Sequence, residues 1–220
     1  TETTQVALAD AAAVETVTID AAPPPSPPDA AIGPSVPEGM AVFAGGKFEM
    51  GTPKEFTKMR DADPKHTVAV EPFYLDKLEA ADAKGLPLRN VQWAEAAAAC
   101  KKAGKRLPTE EEWEFAATRS QHDPQKAALG ERKPAKVGSH PGDCSKDGVC
   151  DMLGNVLEWT ASDFRGKDAE GQKTIRGGGF RVAKNAGFYA SVYARIPAPP
   201  DTDKKDLGEV GFRCAMDAKR

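Results

Sequence analysis

Two helical segments set among many short strand-like pieces and long loops predict an α+β fold. The chain has 220 residues, 40% of them hydrophobic, enough to bury a real core as one domain or at most two small ones. Composition divides it into two materials. Thr1 to Glu38 carries six acidic residues, no Lys or Arg, no aromatic residue, and seven prolines between Pro23 and Pro37. Such a segment buries too little apolar surface to offset the entropy of ordering it. Residues 1–38 are therefore expected to form an acidic Ala/Pro-rich tether, extended or held by a partner. Thr16 to Ile19 has strand propensity and is the piece that could instead pair with a sheet edge.

The folded domain is expected over residues 39–220, and its elements follow in order. "MAVFAGGKFEMGT" reads as a hairpin, since alternating apolar positions flank Gly45-Gly46 and a glycine pair supplies the positive φ of a tight turn. "HTVAVEPFYLDKLE" alternates in the same way and reads as a further strand. "NVQWAEAAAACKKAG" carries four consecutive alanines and stops at Gly104, which suits a helix with a left-handed C-terminal cap. "RLPTEEEWEFAATR" opens a second helix: Thr109 is the N-cap, Glu112 completes a capping box, and the first-turn glutamates suit the helix dipole. Trp113 and Ala117 fall on its buried face. Strand-like pieces then recur in "KTIRGGGFRV", "ASVYARI" and "EVGFRCAMD".

A formal net charge of −3 argues against nucleic acid as the main partner. That average conceals a slightly basic domain, because 27 acidic residues face all 30 basic ones after Glu38. No apolar run approaches the roughly 20 residues that cross a bilayer. Thr1 is not a start methionine, so an upstream targeting segment, removed or lipidated, is expected. The four cysteines have no paired CxxC spacing and no nearby histidine, which argues against zinc. An even count fits an exported protein with two disulfides in any of three connectivities; four buried thiols in a cytosolic protein are the alternative.

"GGKFEMGT", "FYLDKLE", "AGKRLPTEEEWEFAA", "GNVLEWTAS", "RGGGFRV" and "GFRCA" stand in the order and approximate spacing found in the formylglycine-generating enzyme, or sulfatase-modifying factor, family, and the sequence resembles that family over about residues 39 to 217. The resemblance implies its irregular variant of the C-type-lectin fold. It also covers several functions, among them an oxidase that makes formylglycine, a domain of the ergothioneine sulfoxide synthase, and ligand-binding lectin-like modules.

The stretch "DMLGNVLEWTAS" corresponds to a Ca²⁺-binding segment of the family. Carried over, the ligands are the side chains of Asp151 and Glu158 and the main-chain carbonyls of Gly154 and Val156, hard oxygens of the kind Ca²⁺ takes. One calcium site is expected, with no copper or iron. In the founding enzyme two cysteines after the RGG motif bind copper as thiolates. Aligned on Arg176, Gly177 and Gly178, their positions hold Val182 and Gly187, and a serine after the glycine pair is Gly179. Catalysis by the family's chemistry is thus not expected.

The resemblance implies a Cys100–Cys214 disulfide, and the short separation of Cys144 and Cys150 suggests a local bridge; a reactive redox pair is the alternative there. His66, His122 and His140 lack the helical spacing of a nonheme iron site. The expected function is a binding or assembly module of a periplasmic or envelope-associated protein, engaging a peptide, protein or glycan. Trp159, Arg176, Phe180, Phe188 and Tyr189 are the candidates for its groove. An oxygen-dependent oxidoreductase related to the formylglycine-generating enzyme is the competing expectation.

Overall fold

The structure is a computed structural model and describes residues 35–59 and 61–218. The tether, apart from Ser35 to Glu38, and the Thr16–Ile19 piece lie outside the described residues. The remainder is α+β, with two helices and short strands in three sheets.

Strand β1 (Met40–Phe43) pairs antiparallel with β4 (Phe73–Asp76), while β2 (Gly46–Met50) pairs with β3 (His66–Val70). The expected hairpin is therefore wrong: its two arms each pair with a different half of "HTVAVEPFYLD". The two segments turn a corner together. Gly45 and Gly46 have positive φ, as expected, but a Cβ on Gly45 would lie 2.3 Å from the Val70 carbonyl, so glycine is required where one corner passes the other. Pro72, without an N–H, breaks the opposing strand at the same level. Phe43 and Phe73 stack at 5.0 Å between ring centroids and, with the edges of Phe48 and Phe115, fill the space between the sheets.

Helix α1 (Trp93–Lys102) is closed by a Gln92–Glu95 capping box, and Gly104 follows it in the left-handed region at φ +72°. Helix α2 (Glu110–Ala117) has the capping box read from the sequence: Thr109 Oγ1 accepts from the Glu112 N–H at 3.1 Å, and Glu112 accepts from the Thr109 N–H at 2.8 Å. Trp113 and Ala117 are fully buried.

The largest sheet runs β7 (Arg195–Ala198), β6 (Lys173–Arg176), β5 (Leu157–Asp163), β8 (Val210–Gly211), with only the β5–β8 pair parallel. β9 (Ala215–Asp217) returns to β4 and completes the first sheet. Disulfides join Cys100 to Cys214 and Cys144 to Cys150. The first ties β9's entry to α1 beside Trp159, Leu107 and Phe212; the second closes a six-residue loop ahead of the acidic turn.

Candidate functional site

The acidic turn between Cys150 and β5 is held by backbone that only certain residues can adopt. Asp151 and Asn155 lie at φ +58° and +55°, and Gly154 at +95°, where a Cβ would meet the Ala128 carbonyl oxygen at 2.8 Å. Asp151 is buried. Its Oδ2 accepts from the Gly138 N–H at 2.6 Å, whereas Oδ1 is buried with no hydrogen-bond partner. Glu158, on β5, is placed otherwise than a metal ligand would be. Its two oxygens accept three hydrogen bonds from Arg213, the shortest 2.6 Å, and one from Trp113 Nε1 at 2.7 Å.

A third carboxylate joins them. Glu79, just beyond β4, accepts from Asn155 Nδ2 and from the Val156 N–H at 3.1 Å. Its role has no local signal in the sequence, although it ends the "FYLDKLE" motif; only pairing with a turn 76 residues later gives it one. Burial pushes the Glu79 carboxyl well above the usual carboxylate range, and the charges of Asp151 and Glu158 push it further, against the pull of Arg213. Burial also raises Asp151. Burial works against the Arg213 charge, but Glu158 outweighs it and holds the guanidinium protonated. Three buried carboxyl groups thus crowd one guanidinium, and Asp151 Oδ1 among them has no partner.

Crowded carboxyl oxygens and the open Asp151 Oδ1 are the hard donors that a divalent cation such as Ca²⁺ takes. They do not supply Glu158 as a free ligand, and no group of three His, Cys, Asp or Glu side chains with metal-holding geometry occurs among the described residues. A metal here would rest on Asp151 and main-chain oxygen, with Gly154 and Val156 the carbonyls named by the sequence.

Four of the five groove candidates are core. Trp159 is fully buried and its Nε1 donates to the Val91 carbonyl at 2.8 Å; Phe180 and Phe188 are buried, and Tyr189 alone is exposed. Arg176 is not free for an anionic ligand. Its guanidinium donates to Glu110 at 3.1 Å, to Glu114 at 2.6 Å and to the Val192 carbonyl, leaving only a buried Nε without a partner. Arg195 joins Glu110 as well, at 2.7 and 2.8 Å. Glu110, one of the first-turn glutamates read as complements to the helix dipole, is therefore a buried anchor, and with Glu114 further along α2 it binds the sheet to the helix.

Gly187 borders a cavity of about 660 Å³, lined also by Phe56, His122, Lys184, Asn185 and Tyr193. A Cβ on Gly187 would have nothing nearer than Phe56 Cε1 at 3.7 Å, so the position is open. Burial, then the nearby charges of Glu114 and Glu55, raise the Tyr193 phenol, which stays a hydrogen-bond donor at the cavity wall. Val182 instead packs against the main core. At Gly179 a Cβ would meet Glu209 Oε2 at 2.3 Å, and that carboxylate is held by the Arg181 N–H, so a side chain after the glycine pair would displace Glu209.

Among solved structures, PvdO from Pseudomonas aeruginosa superposes with a TM-score of 0.66 at 21% identity, covering 81% of this chain and 94% of that one. CarF gives 0.62 at 17%, covering 82% and 98%. Both likenesses concern the fold. Curated relatives include the inactive C-alpha-formylglycine-generating enzyme 2 of Mus musculus, 36% identical over 162 residues, and of Bos taurus, 33% over 163, each covering 61% of this chain. The formylglycine-generating enzyme of Mycobacterium tuberculosis is 28% identical over 191 residues, covering 66% of this chain and 62% of its own. The chain spans about half the length of the two inactive relatives. Residues 79–218, more than half of the chain, match the sulfatase-modifying factor enzyme 1-like domain, and the chain belongs to that family.

Proposed function

We propose that this chain is a non-catalytic binding or assembly module of an exported protein, engaging a peptide, protein or glycan partner at the cavity beside Gly187. The fate of the thiols carries this reading. The family's oxidation chemistry needs two thiolates after the RGG motif; here those positions are Val182 and Gly187, and all four cysteines are in disulfides. Relatives called inactive, at 33% and 36% identity, support it. Two disulfides are compatible with export, and no helix among the described residues is long and apolar enough to cross a membrane. A periplasmic or envelope site, with residues 1–38 as the tether, follows from that reading. Incubated with a cysteine-containing sulfatase-motif peptide, copper and reductant, the protein is expected to leave the peptide mass unchanged. Catalytic formation of formylglycine would overturn the proposal.

A single Ca²⁺ at the Asp151 turn belongs to the same reading, supported by the open Oδ1 and by the carboxyl groups of Glu79 and Glu158 close to it. A cation bound only by the folded state stabilises it by RT ln(1 + [L]/Kd), about 2.7 kcal/mol when calcium is 100-fold above Kd. Chelation should lower the melting temperature of wild-type protein shown to start metal-loaded. Asp151→Asn should abolish the shift. A chelator-insensitive, metal-loaded wild type would sink the site.

A further inference from the structure

Of the six large apolar side chains exposed among the described residues, three belong to one short stretch of chain: Leu78, Leu86 and Leu88. The backbone there doubles back as a small hairpin. The Leu88 N–H donates to the Ala80 carbonyl at 2.7 Å, Ala81 stands opposite Pro87, and the Asp82 N–H donates to the Leu86 carbonyl at 2.8 Å. Alternation along extended backbone puts Leu86 and Leu88 on one side and Pro87 on the other, and Pro87 is the buried one. Residues 131–138 lie against this hairpin. The Val137 N–H donates to the Gly85 carbonyl at 2.9 Å, and Leu78 rests on Gly138, where a Cβ would come within 2.9 Å of Leu78 Cδ2.

The charge around the leucines is mainly positive. Residues 82–89 and 131–136 carry Lys84, Arg89, Arg132, Lys133 and Lys136 against Asp82 and Glu131, and all seven side chains are exposed. Asp82 is taken up by the hairpin turn, where its Oδ1 accepts from the Lys84 and Leu86 N–H groups at 2.8 and 3.0 Å. Arg89 is positioned by the Gly208 carbonyl, which accepts from its Nη1 at 2.7 Å. None of the five cations is in a salt bridge among the described residues. Between the two segments lies a cleft of about 400 Å³ whose apolar lining is Leu86, Pro87 and Pro134, with Arg89 and Lys133 beside it.

We propose that the face made by the 80–88 hairpin and residues 131–138 is a peripheral membrane-binding surface that takes anionic phospholipid. Apolar side chains enter the boundary between headgroups and acyl chains, and Lys and Arg meet the headgroup phosphates. An acidic protein would meet the cations as well, but the leucines decide between the two. Only Leu86 lines the cleft, and Leu78 and Leu88 lie outside it, so one inserted side chain covers a single leucine where a lipid surface covers all three. The face shares no lining residue with the cavity beside Gly187, and the two can be tested separately.

Co-sedimentation of the full chain with lipid vesicles is the test. Vesicles of equal parts phosphatidylglycerol and phosphatidylcholine should bind the protein, pure phosphatidylcholine vesicles should bind it about 100-fold less, and added salt should release it from the mixed vesicles. Arg132→Gln/Lys133→Gln/Lys136→Gln should weaken binding to the mixed vesicles by about 100-fold, the effect of withdrawing three cations from an anionic surface. Leu86→Gln/Leu88→Gln should weaken it by about tenfold and leave the salt dependence in place. All five side chains are exposed, so both variants should melt with wild type, which separates lost binding from lost fold. Equal binding to the two kinds of vesicle, binding to neither, or either variant binding like wild type would overturn the proposal. Binding to soluble polyglutamate instead of to vesicles would assign the face to an acidic protein and overturn it too. Should a variant fail to fold, the wild-type comparison of the two kinds of vesicle decides.

Discussion

Arg213→Met should lower folding stability by about 3–5 kcal/mol, because it removes one partner from a buried ion pair and leaves the other behind. The Arg213 side chain is fully buried and donates to both oxygens of Glu158 and to the carbonyls of Cys150, Asp76 and Lys77. Those carbonyls belong to β4, to its exit and to the start of the acidic turn, so a single guanidinium joins β5 to the first sheet. Without it, Glu79, Asp151 and Glu158 are three carboxylates with no buried counter-charge. Glu79 and Asp151, already raised by burial, would then take up protons on folding, which the unfolded chain would not do at neutral pH. The loss should therefore be largest near pH 7 and should shrink toward pH 5. Adding Glu158→Gln should recover part of it, since the two residues act as a unit. Urea unfolding at the two pH values tests both statements, and a loss below about 1 kcal/mol at pH 7 would mean the pair is worth no more than a surface one. Arg181–Glu209, with 61% of the arginine side chain exposed, is the internal control, expected to contribute 0–1 kcal/mol.

Features set by neighbours in the chain were legible in the sequence. The Thr109–Glu112 box lies within one helical turn, and Gly104 acts through its own φ, so local chemistry suffices to see both. Pairing was not legible. The arms beside Gly45-Gly46 have the alternation of a hairpin, but that pattern says which face is buried and not which strand lies alongside; stacking of Phe43 on Phe73 favours the distant partner. The same limit governed the site. Arg213 and Glu158 each stand within a recognisable motif, but they are 55 residues apart, and the carboxylate expected to bind calcium is filled by the guanidinium and Trp113 Nε1. Trp159, Phe180 and Phe188 suit a groove as aromatic contact area, but large apolar rings equally suit the core they occupy. The two disulfides were legible for different reasons, one from resemblance and one from closeness.

Those disulfides differ in the stability they should confer, and the difference is the second large expected effect. Closing a loop lowers the entropy of the unfolded chain in proportion to the logarithm of loop length. For Cys100–Cys214, separated by 114 residues, this amounts to about 5 kcal/mol; for Cys144–Cys150, separated by 6, to about 2 kcal/mol. Cys100→Ala/Cys214→Ala should accordingly destabilise the protein more than Cys144→Ala/Cys150→Ala, and alanine avoids burying a hydroxyl at Cys100, which is fully buried. Guanidinium unfolding of each variant measures the difference; a greater loss from the short loop would refute the loop-entropy account. The long bridge also bears on the first prediction. Cys214 follows Arg213 directly, and the next residue, Ala215, exchanges two backbone hydrogen bonds with Arg106 at 2.7 and 2.9 Å. With the bridge removed, those bonds and the Arg213 contacts must hold this segment unaided. A protein lacking both Arg213 and the bridge should then lose less than the sum of the two separate losses, because once the segment has come away there is no second contact left to break.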